Sequence, residues 1–368
     1  MLEHEFNGPS FTVGVEEELM ILDAEGLDLA QGIESILGAV PPELPGEVKP
    51  ELMQSVLEVA TEPCPDVSSA GRQLAALRAE VARIAEGQGM LIGGSGTHPF
   101  ARWEDQEIVD RPRYIELAEE LGWVAHRELI FGTHVHVGIA GPEKAVYVAD
   151  GIRSYIPVLL GLSANSPFWR GTATGMMSSR TPVFRAFPRV GVPPHYGSWE
   201  TYSRRVEMMV SAGAIEDYTY MWWDVRPHPN LGTVEARVFD QQTELEHTLA
   251  LSALIVSLAH RMSASFDQAV PMVEYPTELI DDNKMRAAMR GIDGELVDFR
   301  RGRPVAAREM VRGMVDELRE HAEELGCEAE LAGVEELVRD GTGASQQLAI
   351  HERDPDVRAL TRKLAELT

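Results

Sequence analysis

Residues 128–139 read ELIFGTHVHVGI, and the strong alternation through THVHV marks a central β-strand. Successive side chains on a strand point to opposite faces, so His134 and His136 share one face and Val135 lies on the other. A lone core histidine is usually structural, whereas two imidazoles on one face of a central strand more often mark a site; the same pairing also serves zinc hydrolases. The stretch FTVGVEEELMIL at 11–22 repeats the pattern with acids: Glu16 and Glu18 share a face and Glu17 points the other way. Burying like-charged carboxylates side by side is costly unless a cation or an arginine neutralises them. A solvated edge strand is the alternative for this triplet. Residues 233–239, TVEARVF, place Glu235 and Arg237 together in the same manner. Three strands that each present a polar pair on one face predict a polar groove across a sheet.

The rest of the chain fills in around this groove. Two extended pieces fall within 48–62, where PELMQSVLE carries Glu51 and Glu58; alone, these acids are unremarkable and read as surface residues. A short apolar strand is expected at 90–94 and two further strands at 219–226 and 232–239. Helical spacing of apolar residues predicts helices over 68–86, 112–123, 142–162, 200–213, 243–267, 275–291, 304–325, 328–339 and 355–367. Residues 163–200 are irregular and rich in Pro, Gly, Ser and aromatics; so long an irregular segment in a compact domain is usually functional. Arg180 sits there, Arg226 follows two tryptophans in WWDVRPHP, and Asp240 closes the Glu235 strand. Arginines near a carboxylate cluster serve either as neutralising partners or as donors to phosphate and substrate carboxylates. GGSGTHP at 93–99 lacks the Lys-Ser/Thr and following helix of a phosphate loop and reads as a turn at a strand end. Strands gather in the first two thirds and helices in the last. The expectation is a single α+β domain, sheet-rich over 10–245 and helical over 246–368, built on one antiparallel sheet.

Composition narrows the function classes. Acidic residues outnumber basic ones by 59 to 33, for a formal net charge of −26. Such a surface repels nucleic-acid phosphate and anionic lipid, so neither is an expected partner. No run of about 18 apolar residues is present, and MLEHEFNGPS lacks the features of a secretory signal, so neither a membrane span nor export is expected. The two cysteines, Cys64 and Cys327, are too few for a disulfide framework, which makes a reducing cytoplasm the expected location. A site of many carboxylates and an imidazole suits a hard cation such as Mg²⁺ or Mn²⁺.

Taken in order, VGVEEE (13–18), KPELMQSVLEVATEPC (49–64), GTHVHVGI (132–139), SPFW (166–169) and MWWDVRPHPNLGTVEARVFD (221–240) resemble the glutamate–cysteine ligase type 2 family, the carboxylate–amine ligases. The resemblance runs from about residue 10 to about residue 350, and the motifs are specific as a set although each is weak alone. It implies a curved antiparallel sheet of the glutamine synthetase/guanido kinase-like catalytic fold, flanked by helices, that binds ATP and divalent metal on its concave face. By the same resemblance Glu16, Glu18, Glu51, Glu58, His134 and Glu235 are metal ligands and His136 is a polar group beside them. Arg237 faces the phosphates, Arg226 lies near substrate or phosphates, and Arg180 and Asp240 bind substrate or ATP. Asn283, Arg286 and Arg290 receive no role. The implied chemistry is ATP-dependent amide formation through an acyl phosphate, joining the γ-carboxyl of glutamate to the amine of cysteine, with small amino acids or amines as partners and a homodimer as one expectation for assembly. A binuclear metallohydrolase and a non-catalytic metabolite-binding homologue remain the alternatives.

Overall fold

A computed structural model describes residues 2–368. Its centre is a seven-stranded sheet made of β1 (Val13–Asp23), β2 (Glu47–Pro50), β3 (Val56–Ala60), β4 (Met90–Gly93), β5 (Gly132–Gly138), β6 (Val225–His228) and β7 (Thr233–Asp240). The order is β6-β7-β5-β1-β3-β2, every pairing is antiparallel, and the sheet stays open. The strand β1 is long enough to serve three neighbours. It pairs with β3 along one edge, and with β5 and then β4 along the other.

Register decides which side chains meet. Glu16 lies opposite His134, His136 opposite Glu235, and Glu235 opposite Arg226. Glu18 lies opposite Glu58, and Glu58 opposite Lys49. Directly opposed residues share a face, so these polar groups line one side of the sheet. The other side presents Val13, Val15, Leu19, Ile21, Leu57, Val59, Val135, Val137, Val234 and Ala236, all fully buried in the main core. The helix Leu245–Asp267 runs through that core and packs against the helices Val67–Glu86, Pro142–Ile152, Ala307–Leu325 and Glu328–Asp340. Leu245–Asp267 and the stretch Pro142–Ser163 are each long and apolar enough to cross a membrane, but most of each is buried inside the chain as core helix.

One charge sits on the apolar side. Glu17 is fully buried, and the guanidinium of Arg78, from the helix Val67–Glu86, meets it with Nη2 at 2.6 Å and Nε at 2.7 Å. Thr248 donates to the same carboxylate at 2.6 Å and Gln241 at 3.2 Å. Burial pushes the Glu17 carboxyl up, but the Arg78 charge and these hydrogen bonds overrule it and hold the group below its ordinary range.

Several boundaries differ from the sequence reading. The helix expected over 142–162 is interrupted by a 3₁₀ turn at Arg153–Tyr155 and resumes as Ile156–Ser163. Pro157 lacks an amide hydrogen and crowds the carbonyl four residues back, which breaks the continuous ladder. The central strand starts at Gly132, not near 128. The segment 219–226 divides into a 3₁₀ turn, the two-residue strand Trp222–Trp223 and the start of β6. The helix expected from 304 begins at Ala307, because Arg303–Ala306 pairs with Glu295–Asp298 as a hairpin. Asn283 pins that hairpin by bonding both the amide and the carbonyl of Val297, so its role is structural.

Arg78→Met should destabilise the protein by roughly 3–5 kcal/mol, because it strands a buried carboxylate. Urea unfolding measures this; a loss under about 1 kcal/mol would show that the pair is not a support of the fold.

Candidate active site

The polar face of the sheet is a chain of donors. Glu16 Oε2 is 3.1 Å from His134 Nδ1, and Glu16 Oε1 is 3.6 Å from His136 Nε2, which in turn is 3.8 Å from Glu235 Oε1. His134 Nε2 is 3.7 Å from Glu18 Oε1. Three overlapping groups have donor atoms within 4.8 Å of one another: Glu16 with His136 and Glu235, Glu16 with Glu58 and His134, and Glu18 with Glu51 and Glu58. Glu51 arrives from the bend between β2 and β3, where its carboxylate accepts from the Leu52 amide at 3.0 Å. Every residue that the sequence reading named as a ligand is therefore in one place. His136, named there only as a neighbour, stands among the donors on equal terms with His134.

A divalent cation fits this donor set. His134 Nε2 and His136 Nε2 are buried without a hydrogen-bond partner, as expected of nitrogens aimed at an ion. Oxygen-rich groups with at most one imidazole each suit a hard cation.

The charges are distributed unevenly. Burial raises the Glu16 carboxyl, yet hydrogen bonds and charge from His134 and His136 outweigh it and hold the group well below its usual range. Glu235 behaves likewise under Arg226 and Arg237. Glu58 is pushed well above the ordinary range by burial and by the negative field of Glu16 and Glu51. Burial and the Glu18 charge push Glu51 up to about 7, and burial raises Glu18 against the pull of Arg180 and Arg237. Burial and the Arg237 charge lower His134 to about 4. His136 is raised, because Glu235 and Glu16 overcome its burial.

The arginines divide into holders and free donors. Arg226 spends its hydrogens on Glu235 at 2.5 Å and on the carbonyls of Thr219 and Met221 at 3.0 and 2.8 Å. It positions Glu235 and has little left for a substrate. Arg237 pairs with Glu235 through Nη1 and keeps a buried Nε without a partner. Arg180 reaches across β5 at Gly132, where a Cβ would lie 2.5 Å from its Nη2; only glycine leaves that passage open. Asp240 is fully buried and turned inward: it accepts from the Asn165 amide at 2.9 Å and from the hydroxyls of Ser166 and Ser178 at 2.6 and 2.8 Å. It anchors the irregular segment that delivers Arg180, a positioning role, where the family resemblance implies contact with substrate or ATP. Gly96 allows the carboxylate in, since a Cβ there would meet it at 2.7 Å.

Two cavities adjoin the cluster. One, of about 160 Å³, is lined by Glu18, Glu51, Arg113, Tyr114, Glu128, Tyr220, Trp222 and Arg237 among others. The other, of about 380 Å³, holds the Lys284–Asp224 pair at 2.8 Å. Arg180 and Phe184 line both. Glu128, Arg113, Tyr114, Asp224 and Lys284 carry no sequence signal because each stands outside the polar pairs at i and i+2 that mark the faces of the three alternating strands. Burial raises Glu128 well above the carboxylate range, with the Glu18 and Glu51 charges adding to it.

An open antiparallel sheet with carboxylates, imidazoles and arginines on one face and helices on the other defines the chain as a glutamine-synthetase-like ligase fold. The glutamate–cysteine ligase of Francisella tularensis, solved in complex with AMP, superposes with a TM-score of 0.73 at 12% identity, over 99% of this chain and 90% of that one. A bifunctional glutathione synthetase from Pasteurella multocida gives 0.67 at 16% identity, over 97% of this chain and 52% of that one. The family model for glutamate-cysteine ligase family 2 matches residues 12–363. A Rubrobacter xylanophilus protein provisionally named glutamate–cysteine ligase 2-1 is 43% identical over 367 residues, covering 100% of this chain and 97% of its own. A Sorangium cellulosum protein provisionally named glutamate–cysteine ligase 2 is 39% identical over 358 residues, 97% of this chain and 96% of its own. The chain belongs to glutamate-cysteine ligase family 2.

The raised carboxyls set a pH dependence. Glu51, at about 7 in the fold against an ordinary 4.5, contributes stability that is complete below the ordinary value and lost as pH rises through 7. Metal-free protein should therefore melt at a lower temperature at pH 8 than at pH 5. Added Mg²⁺, which displaces those protons, should raise the melting temperature more at pH 8 than at pH 5. Thermal melts with and without chelator test this, and an Mg²⁺ effect independent of pH would contradict it.

Proposed function

We propose that the chain is an ATP-dependent carboxylate–amine ligase, and that its reaction joins the γ-carboxyl of glutamate to the amine of cysteine. The observation that carries this reading is the continuous donor chain from Glu235 through Glu16 to Glu51, flanked by Arg237 and Arg180. The names of the full-length relatives support the substrate pair, and the AMP in the Francisella enzyme supports a nucleotide in the adjoining cavity.

In the proposed reaction a carboxylate oxygen attacks the γ-phosphorus of ATP and ADP leaves, giving an acyl phosphate. The amine then attacks the acyl carbon, loses a proton and displaces phosphate. Phosphoryl transfer demands charge neutralisation and alignment more than a protein nucleophile. Mg²⁺ or Mn²⁺ held by Glu16, Glu18, Glu51, Glu58, His134, His136 and Glu235 would neutralise phosphate oxygens. Arg226 fixes Glu235, so the Nε edge of Arg237 is available to the charge that develops on the transferred group. Arg180, between the two cavities, is placed to hold the carboxylate that is activated. The two cysteines are buried and unpaired, which supports a reducing cytoplasm as the enzyme's location.

Phosphate release from ATP should require Mg²⁺ or Mn²⁺ and both substrates, stop with EDTA, and be strongest with glutamate and cysteine. No phosphate release across a panel of amino acids and amines, or activity restored by Zn²⁺ alone, would exclude the ligase and favour a metallohydrolase. At Arg237, lysine keeps the charge but loses the planar fork. Arg237→Lys should cost about 3–4 kcal/mol of transition-state stabilisation, roughly 10²–10³ in kcat, with ATP binding and melting temperature kept. Near-normal turnover in this variant would assign Arg237 to structure alone.

A further inference from the structure

A second group of donors lies away from the sheet. His260, on the core helix Leu245–Asp267, faces His321 and Glu324 on the helix Ala307–Leu325, which packs against it. His321 and Glu324 are three residues apart and so share one helical face. His260 Nδ1 and His321 Nδ1 are 3.0 Å apart, His260 Nε2 is 3.5 Å from Glu324 Oε2, and one donor atom from each residue falls within a common 4.8 Å. The His260 side chain is only 19% exposed and is wedged edge-on against Phe11, with ring centroids 4.7 Å apart. Its orientation is therefore set by packing.

We propose that His260, His321 and Glu324 form a transition-metal site of the Zn²⁺ class, separate from the sheet cluster, that clamps the helix Ala307–Leu325 to the core. Two imidazole nitrogens on a tetrahedral Zn²⁺ stand roughly 3.3 Å apart at the usual Zn–N length. The observed 3.0 Å spacing needs a shift of only a few tenths of an ångström. Glu324 is 57% exposed, free to swing its carboxylate onto the ion, and solvent supplies the fourth ligand. Two imidazoles and one carboxylate suit zinc and its late first-row neighbours, whereas the oxygen-rich sheet cluster suits magnesium. The two sites thus differ in the cation they select. The two helices pack against each other, so the two imidazoles are brought together before an ion arrives, and only the carboxylate has to move.

The test uses chelator-treated full-length protein in excess Mg²⁺, titrated with Zn²⁺ and followed by equilibrium dialysis and thermal melting. Zinc bound to the sheet cluster is common to all variants and cancels in the comparison. Wild type should bind one more Zn²⁺ than His321→Ala and gain melting temperature from it. Zinc affinity at this site should fall more than the roughly 10–100-fold that loss of an outer-shell partner costs, with a smaller drop for Glu324→Gln. In chelator both variants should melt with wild type, and in excess Mg²⁺ without Zn²⁺ they should keep its turnover. If His321→Ala fails to fold, His321→Asn serves the same comparison. Equal zinc stoichiometry and affinity in wild type and variants would overturn the site and leave a hydrogen-bonded histidine pair.

Discussion

Carboxylates crowded on one buried face repel one another, and the way this protein divides that repulsion shapes everything around it. Glu16 and Glu235 keep their charge because imidazoles and arginines stand against them, while Glu51 and Glu58 retain protons at a pH where free glutamate does not. The half-protonated arrangement is a poor resting state for acids and a good one for a cation, which exchanges protons for a fixed positive charge. Strand register makes the crowding unavoidable, since Glu16 faces His134, Glu18 faces Glu58 and Glu235 faces His136 across the ladders. A slip of one residue would send these side chains into the helical core.

The opposite face shows what the same problem costs without a cation. Glu17 lies between Val59 and Thr133 and against Thr248 of the helix Leu245–Asp267, and a whole guanidinium plus two further donors meet its carboxylate. On the site face the arginines are deployed differently. Arg226 is saturated and fixes Glu235, whereas Arg237 and Arg180 retain unpartnered Nε atoms. The contrast separates a guanidinium group spent on the protein's own acid and carbonyls from two that keep a free edge on the same face.

The sheet and the donor face were legible in the sequence because alternation has a fixed period, and a polar pair at i and i+2 can occupy only one face. Glu51 and Glu58 could be placed with them only through resemblance, since seven residues that span a bend carry no periodicity. His136 poses a related problem: THVHV presents two equivalent imidazoles, and only the partner strands bring the second between Glu16 and Glu235. Glu128 and Lys284 give no local signal, since their burial comes from chain segments far away in sequence. Arg78 reads as a solvated helix residue until the fold places it beneath Glu17. Of the hairpin at 295–306 the sequence suggests only the last three residues, and those as the start of a helix, because two strands of four residues are too short to show an alternation. The His260–His321 pair, 61 residues apart, belongs to helix packing and has no sequence signature.

The gap that Gly132 leaves in β5 also has a thermodynamic side. Through it Arg180 becomes a wall shared by both cavities, so its single positive charge is visible to a ligand in either one. An anion on one side spends part of that field, and an anion on the other finds it diminished. Two such occupants are coupled without any movement of the backbone. The coupling is reciprocal: whatever factor the first imposes on the affinity of the second, the second imposes on the first.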